Sequence, residues 1–358
     1  MKVKEALIFM IVCMTVIVFY VAATKDKISP VVGPLNPPKR TSPEVEDPEA
    51  SVTFEESLAS ITTENLKEHV YYLASDELQG RQSGEPGCDQ ARDYLIRQFE
   101  SYGLPVELDE FSVRTGDKTT ENVYAWIEGA EYPYEIIVIG GHYDHIGQTQ
   151  RGVFNGADDN ASGTSAVLEM AQALSMIQDQ CKRTIVFQCY SGEELGLIGS
   201  KHYCESPKFP KIGPSLRSHI FMENLDMIGY LPQQASITTD YGPVDPFISE
   251  LQKKYPFAQS VTKPGMSAGA SDHAPFAQRG VPSVFMHTGT AGSPYHQTTD
   301  DADKLNYEGM EAISKYSLEL VWQICENGLS KQAIQSHENE EIEMLDHGII
   351  PFPIPFPE

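Results

Sequence analysis

The sequence predicts an α/β domain built on a largely parallel sheet, and three observations predict it. Short, continuously apolar runs recur at Glu135–Ile139, Thr184–Cys189, His219–Asn224 and Pro282–Met286. Such runs, bounded by turn residues, suit strands covered on both faces. Apolar residues at helical spacing fill Thr63–Leu73, Gly87–Tyr102, Ala161–Met176 and Tyr307–Glu326, and alternation of the two patterns supplies the crossovers that parallel neighbours need. Finally, residues able to do chemistry fall just after the strand-like runs, where the carboxyl ends of a parallel sheet gather its ligands.

In chain order, the first 24 residues read as a targeting segment. Lys2 and Lys4 precede an uncharged run from Ala6 to Ala23, and Val21-Ala22-Ala23 resembles a small-residue cleavage site. The run is also just long enough for a spanning helix, so a cleaved signal peptide and a retained membrane anchor both remain open. In either case the basic start stays inside, and the rest of the chain is expected outside the cytoplasm, periplasmic or secreted. Residues 25–56, rich in Pro, Glu, Ser and Thr, read as a disordered linker. Residues 57–329 form the expected catalytic domain. Residues 330–358, acidic and ending in Pro351-Phe352-Pro353-Ile354-Pro355-Phe356-Pro357, read as a tail. The formal net charge of −25 repels phosphate backbones and excludes nucleic acid as a partner. Beyond the targeting segment stand Cys88, Cys181, Cys189, Cys204 and Cys325; their spacing matches no disulfide framework or metal site and reads as buried small hydrophobes.

The chemistry is carried by five segments. Gly140-Gly141-His142-Tyr143-Asp144-His145 follows the first run. Asn155-Gly156-Ala157-Asp158-Asp159-Asn160-Ala161-Ser162-Gly163 opens a helix. Ser191-Gly192-Glu193-Glu194-Leu195-Gly196 follows the second run, Asn224-Leu225-Asp226-Met227 ends the third, and Pro294-Tyr295-His296-Gln297 comes after the fourth. Imidazole and carboxylate together are the zinc ligands of hydrolytic sites. A site with two metals needs a bridging carboxylate, separate ligands for each ion and a further carboxylate to accept a proton. These segments supply that number and variety.

Together with Leu73-Ala74-Ser75-Asp76-Glu77-Leu78-Gln79-Gly80-Arg81, the ordered motifs resemble the co-catalytic dizinc aminopeptidase family, of secreted bacterial leucyl aminopeptidase type. Glutamate carboxypeptidases and glutaminyl cyclases are its relatives. The resemblance spans roughly Leu58 to Leu329. It implies a three-layer α/β/α sandwich with a mostly parallel, mixed central sheet, and two zinc ions per chain. His142 and Asp226 would hold one zinc, Glu194 and His296 the other, with Asp159 rather than Asp158 between them. Glu193 would be the general base, Tyr295 would donate to the oxyanion, and Asp144 would orient His142. The substrates implied are peptides with a free N-terminus, cleaved at their first peptide bond. One departure is that Ala270 precedes Ser271-Asp272-His273-Ala274-Pro275-Phe276, where some relatives carry Arg.

Competing readings are weaker. His145, His202, His219, His273 and His287 taken singly suit surface or structural roles, with His145 and Asp272 the best candidates for a place behind the ligands. Asp300, four residues after His296, fits either such a place or a turn cap. Gly265-Met266-Ser267-Ala268-Gly269 matches a serine-hydrolase elbow, but Lys263-Pro264 interrupts the strand that should precede it. A glutaminyl-peptide cyclotransferase on the same fold is the nearer alternative.

Overall fold

The computed structural model describes residues 51–329, apart from 114–117, 232–235, 240–243, 256, 258–259 and 263–270. The targeting segment 1–24, nearly all of the linker, the tail 330–358 and Ser267 lie outside the described residues. Among the described residues no helix is long and apolar enough to cross a membrane.

Helix α1, Phe54–Ala59, starts inside the stretch read as linker. A reciprocal cap makes the difference: Thr53 Oγ1 accepts from the Glu56 amide, and the Glu56 carboxylate accepts from the Thr53 amide at 2.8 Å. Phe54 then stacks on Trp322, their ring centres 4.8 Å apart, so the packed domain begins before residue 57. Helices α2 (Thr63–Leu73) and α3 (Pro86–Ser101) follow, then an antiparallel pair, β1 (Val106–Ser112) and β2 (Thr119–Ile127). Next come β3 (Tyr132–His142), a small hairpin of β4 (Gly147–Thr149) and β5 (Gly152–Phe154), helix α4 (Gly163–Ser175), β6 (Arg183–Tyr190), α5 (Ile198–Glu205) and β7 (His219–Leu225). The chain continues through β8 (Ser236–Thr239), α6 (Asp245–Lys254), β9 (Ser260–Thr262), α7 (Ala274–Ala277), β10 (Ser283–His287) and α8 (Tyr307–Asn327).

The sheet runs β1-β2-β6-β3-β7-β10-β8-β9. Strands β6, β3, β7 and β10, the four apolar runs of the sequence, are mutually parallel. Antiparallel β2 and β8 flank them, so the sheet is mixed. The β1–β2 edge was hidden in the sequence because β1 carries charges between its apolar residues and β2 carries Glu121 and Asn122, so neither is a continuously apolar run. Period-two alternation sorts the two faces. Ile137 and Ile139 of β3 join the large core with α2, α3, α4 and α8, whereas Ile136 and Val138 pack with Tyr203 of α5 and Phe276 of α7. The result is three layers. Strand order reverses at β3: the chain goes to β6 on one side and returns to β7 on the other, which opens a crevice at the carboxyl ends. All five described cysteines are buried and unpaired.

Two core positions generate tests. Helix α4 starts so close to the end of β7 that a Cβ on Gly163 would lie 2.2 Å from the Leu225 carbonyl oxygen. Gly163→Ala should therefore cost roughly 1–3 kcal/mol in urea unfolding and displace the adjoining turn. Glu223, on the α8 face of β7, is fully buried, and neither oxygen makes a well-formed hydrogen bond. Burial pushes its carboxyl up to about 8, with the nearby Ser317 hydroxyl opposing weakly. The folded protein thus holds this proton between the ordinary value of 4.5 and about 8, where the unfolded chain has lost it. Stability should fall by up to about 1.4 kcal/mol per pH unit across that window on this account. Unfolding at pH 5 and pH 8 should show a smaller fall for Glu223→Gln than for the parent chain; equal falls would contradict the assignment.

Candidate metal centre

The structure gathers all five motif segments at the carboxyl ends of the parallel strands. His142 is the last residue of β3, Glu193 and Glu194 follow β6, Asp226 follows β7, and Tyr295 and His296 lie on the loop after β10. Asp159 sits at a kink in the turn Ala157–Ser162 that leads into α4, with non-helical backbone angles of φ −108° and ψ 91°. Met227 and His296 both adopt left-handed backbone angles, φ 56° and 54°, the kind of local strain that concentrates at functional sites.

Asp159 is central. Its Oδ1 lies 3.4 Å from His142 Nε2 and its Oδ2 lies 3.2 Å from His296 Nε2. His142 Nε2 is also 3.3 Å from Asp226 Oδ1, and His296 Nε2 is 3.1 Å from Glu194 Oε2. Ligands about 2.0–2.1 Å from a tetrahedral metal stand about 3.3–3.4 Å from one another. The four separations are close to that edge length, so each of these pairs is spaced as two ligands of a common metal would be. The cluster {His142, Glu193, Asp226} and the cluster {His145, Asp159, Glu194} each bring their ligand atoms within 4.8 Å of one another. Glu193 and His145 thus join expected ligands in these clusters.

The electrostatics also call for cations. Burial raises the Glu193 carboxyl well above its usual range; His142 opposes this, while Asp272, Asp226 and Glu194 add to it. Burial would raise Asp159 too, but hydrogen bonds with His142 and His296 outweigh it and hold that carboxyl far down. The same pairing outweighs the burial of His296 and lifts its imidazole to about 10. His142 is likewise raised, by Glu193 and Asp226 foremost among its neighbours, against burial. Protonated imidazoles here occupy the role a metal ion takes when it displaces their protons.

The surroundings fix this arrangement. The Asp158 carboxylate is committed elsewhere, accepting from the Gly229 amide at 2.9 Å and the Ser293 hydroxyl at 2.7 Å. Asp300 accepts from the Asp158 and Asp159 amides at 2.9 and 3.1 Å, so it clamps the turn rather than capping its own. Arg81, fully buried, donates to the carbonyls of Tyr143, Asn155, Gly156 and Leu73 and ties the His142 and Asp159 segments together. Ser271 donates to Asp226 at 2.7 Å. Asp144 approaches His142 Nδ1 through its main-chain oxygen at 3.2 Å and its carboxylate at 3.6 Å, and that carboxylate also accepts from Ser83 and from the Glu193 amide. Asn160 is buried with its side-chain amide donating to the Leu225 carbonyl at 2.9 Å.

Tyr295 stands at the rim, 42% exposed, with its ring stacked 3.8 Å from that of His296. His219 bonds Tyr203, and His273 and His287 sandwich Phe285, as structural histidines do. Sequence reasoning did not find the carbonyl-binding role of Arg81. Its only signal was the Gln79-Gly80-Arg81 turn, where all three residues have positive φ.

Residues 122–321 match the profile described as peptidase family M28. Leupeptin-inactivating enzyme 1 of Streptomyces exfoliatus is 30% identical over 245 residues, 67% of this chain and 52% of that protein. The chain spans about half the length of the first curated relatives it matches. LapB of Legionella pneumophila superposes with a TM-score of 0.64 at 27% identity, covering 76% of this chain and 75% of LapB. A zinc aminopeptidase of Bacillus subtilis superposes with a TM-score of 0.63 over 74% of this chain and 95% of its own, at an identity of 16% that speaks for the fold alone.

The geometry separates the two neighbouring aspartates. Asp159→Asn should lower zinc uptake, measured by equilibrium dialysis and elemental analysis, by tenfold or more, on the order of what displaced metal ligation costs. Asp158→Asn should leave uptake near the parental level and lower thermal stability instead.

Proposed function

This chain belongs to peptidase family M28, and from that premise we propose that it is a zinc-dependent aminopeptidase releasing single residues from the free N-terminus of peptides. The observation that carries the reading is the division of Asp159, with one oxygen toward His142 and the other toward His296. In this reading His142 and Asp226 would hold one zinc ion, Glu194 and His296 would hold a second, and Asp159 would serve both. When bound, zinc would supply a lowered pKa to an attacking water and polarise the scissile carbonyl.

The chain's own groups do the rest. Glu193, adjoining His142 and Asp226, accepts the proton of the attacking water on its carboxylate and delivers it to the departing amine. Its amide is fixed by Asp144, which also faces His142. Tyr295, at the rim beside His296, donates its hydroxyl proton in a hydrogen bond to the carbonyl oxygen as charge develops there. The carboxylate-rich pocket favours the cationic α-amine of a free N-terminus. Residues 1–24 direct the catalytic domain out of the cytoplasm, whether removed or retained as an anchor.

Hydrolysis of aminoacyl-anilides, with N-acetylated controls, tests the reading. Free-amine substrates should be cleaved, acetylated ones should not, and a chelator should abolish the activity until zinc is restored. Cyclisation of N-terminal glutaminyl peptides without anilide hydrolysis would replace it with the cyclotransferase. Chelator-insensitive hydrolysis would point to Ser267. Glu193→Gln should lower kcat by about 10²–10⁴-fold with the zinc content of the parent; a near-normal kcat would remove Glu193 from its role.

A further inference from the structure

His145 is the one imidazole in the site to which neither the motif order nor the proposed reaction gives a task. Its side chain is fully buried, and Nδ1 lies 2.7 Å from Glu194 Oε1. The other Glu194 oxygen, Oε2, is the one that faces His296, at 3.1 Å. The two oxygens of Glu194 are therefore divided between two histidines. The lengths distinguish the two contacts. A separation of 3.1 Å is close to the edge between two ligands of one metal, whereas 2.7 Å is shorter than that edge and is a charge-assisted hydrogen bond. His145 Nδ1 is also 3.9 Å from Asp159 Oδ2, too far for a direct bond.

The ring is held in place from several sides. The His145 amide donates to the Arg81 carbonyl at 3.1 Å. The ring meets that of His296 edge-on, with centres 5.9 Å apart. Gly156 leaves it room: a Cβ there would fall 2.5 Å from the ring carbon Cδ2. Among the described residues Nε2 is buried with no hydrogen-bond partner, so the tautomer that satisfies the ring carries its proton on Nδ1, facing Glu194.

We propose that His145 is a positioning residue whose Nδ1–H holds Glu194 Oε1, leaving only Oε2 to serve the metal position shared with His296. This rests on the dizinc reading given above. A carboxylate held this way presents one oxygen in one orientation, and loss of such a partner commonly costs about 10–100-fold in metal affinity.

The test is a zinc titration of the full chain against a chromophoric chelator, with the fold monitored by far-UV circular dichroism. His145→Ala should leave one zinc binding as in the parent and weaken the other by about 10–100-fold. His145→Asn, whose amide nitrogen can stand where Nδ1 stands, should restore most of that loss. In a Glu194→Ala background His145→Ala should cost no further affinity, because the group it holds is gone. Equal weakening of both ions, unchanged binding in His145→Ala, or an Asn variant no better than Ala would each overturn the proposal. A parent chain that binds fewer than two zinc ions would instead overturn the dizinc reading, and the proposal would fall with it.

Discussion

Asp159 has to present its two oxygens to two imidazoles that arrive from opposite sides of the crevice. His142 comes from the end of β3 and His296 from the loop beyond β10. An aspartate has only two side-chain torsions for this, so its backbone must be fixed before its side chain can be. Much of the machinery around the site does that. Asp300 takes the Asp158 and Asp159 amides of the turn, and Arg81 gathers the Asn155 and Gly156 carbonyls just before it together with that of Tyr143. Asn160 binds Leu225 and the Met227 and Gly163 amides, and Gly163 lets α4 begin against the end of β7. The site's precision comes from main-chain hydrogen bonds on a rigid sheet edge.

That arrangement is costly without positive charge. Four carboxylates, Asp159, Glu193, Glu194 and Asp226, share the pocket with His142, His145 and His296, and desolvation opposes every ionised group among them. The shifts of Glu193 upward and Asp159 downward express how unevenly the imidazoles relieve this charge. Divalent cations would relieve it evenly, and the donor separations leave room for them. The same logic separates the adjacent aspartates: Asp158 is spent on Gly229 and Ser293, so it anchors the loop.

The parallel centre of the sheet was legible because strands covered on both faces must be continuously apolar, and all four runs became β3, β6, β7 and β10. The motif residues were legible because their chemistry is rare and their order specific. The antiparallel edge was not: β1 mixes Glu107, Asp109 and Glu110 with Val106, Leu108 and Phe111, and β2 opens on Thr119-Thr120-Glu121-Asn122 before its apolar end, so neither is a continuously apolar run. The start of the domain was misplaced because the reciprocal cap of Thr53 and Glu56 lies in a polar stretch that reads as linker. Arg81 and Asp300 work through backbone atoms, which leave no periodic trace in sequence. His145 was readable as a candidate for a place behind the ligands, but not which ligand it serves; its partner, Glu194, is 49 residues away.

The most direct test of the shared carboxylate is anomalous diffraction at the zinc edge from crystals of the full chain equilibrated with zinc. The account predicts two peaks about 3.5–4 Å apart, one beside His142 and Asp226, the other beside Glu194 and His296, with Asp159 between them. A single peak, or two peaks of which Asp159 touches only one, would contradict it.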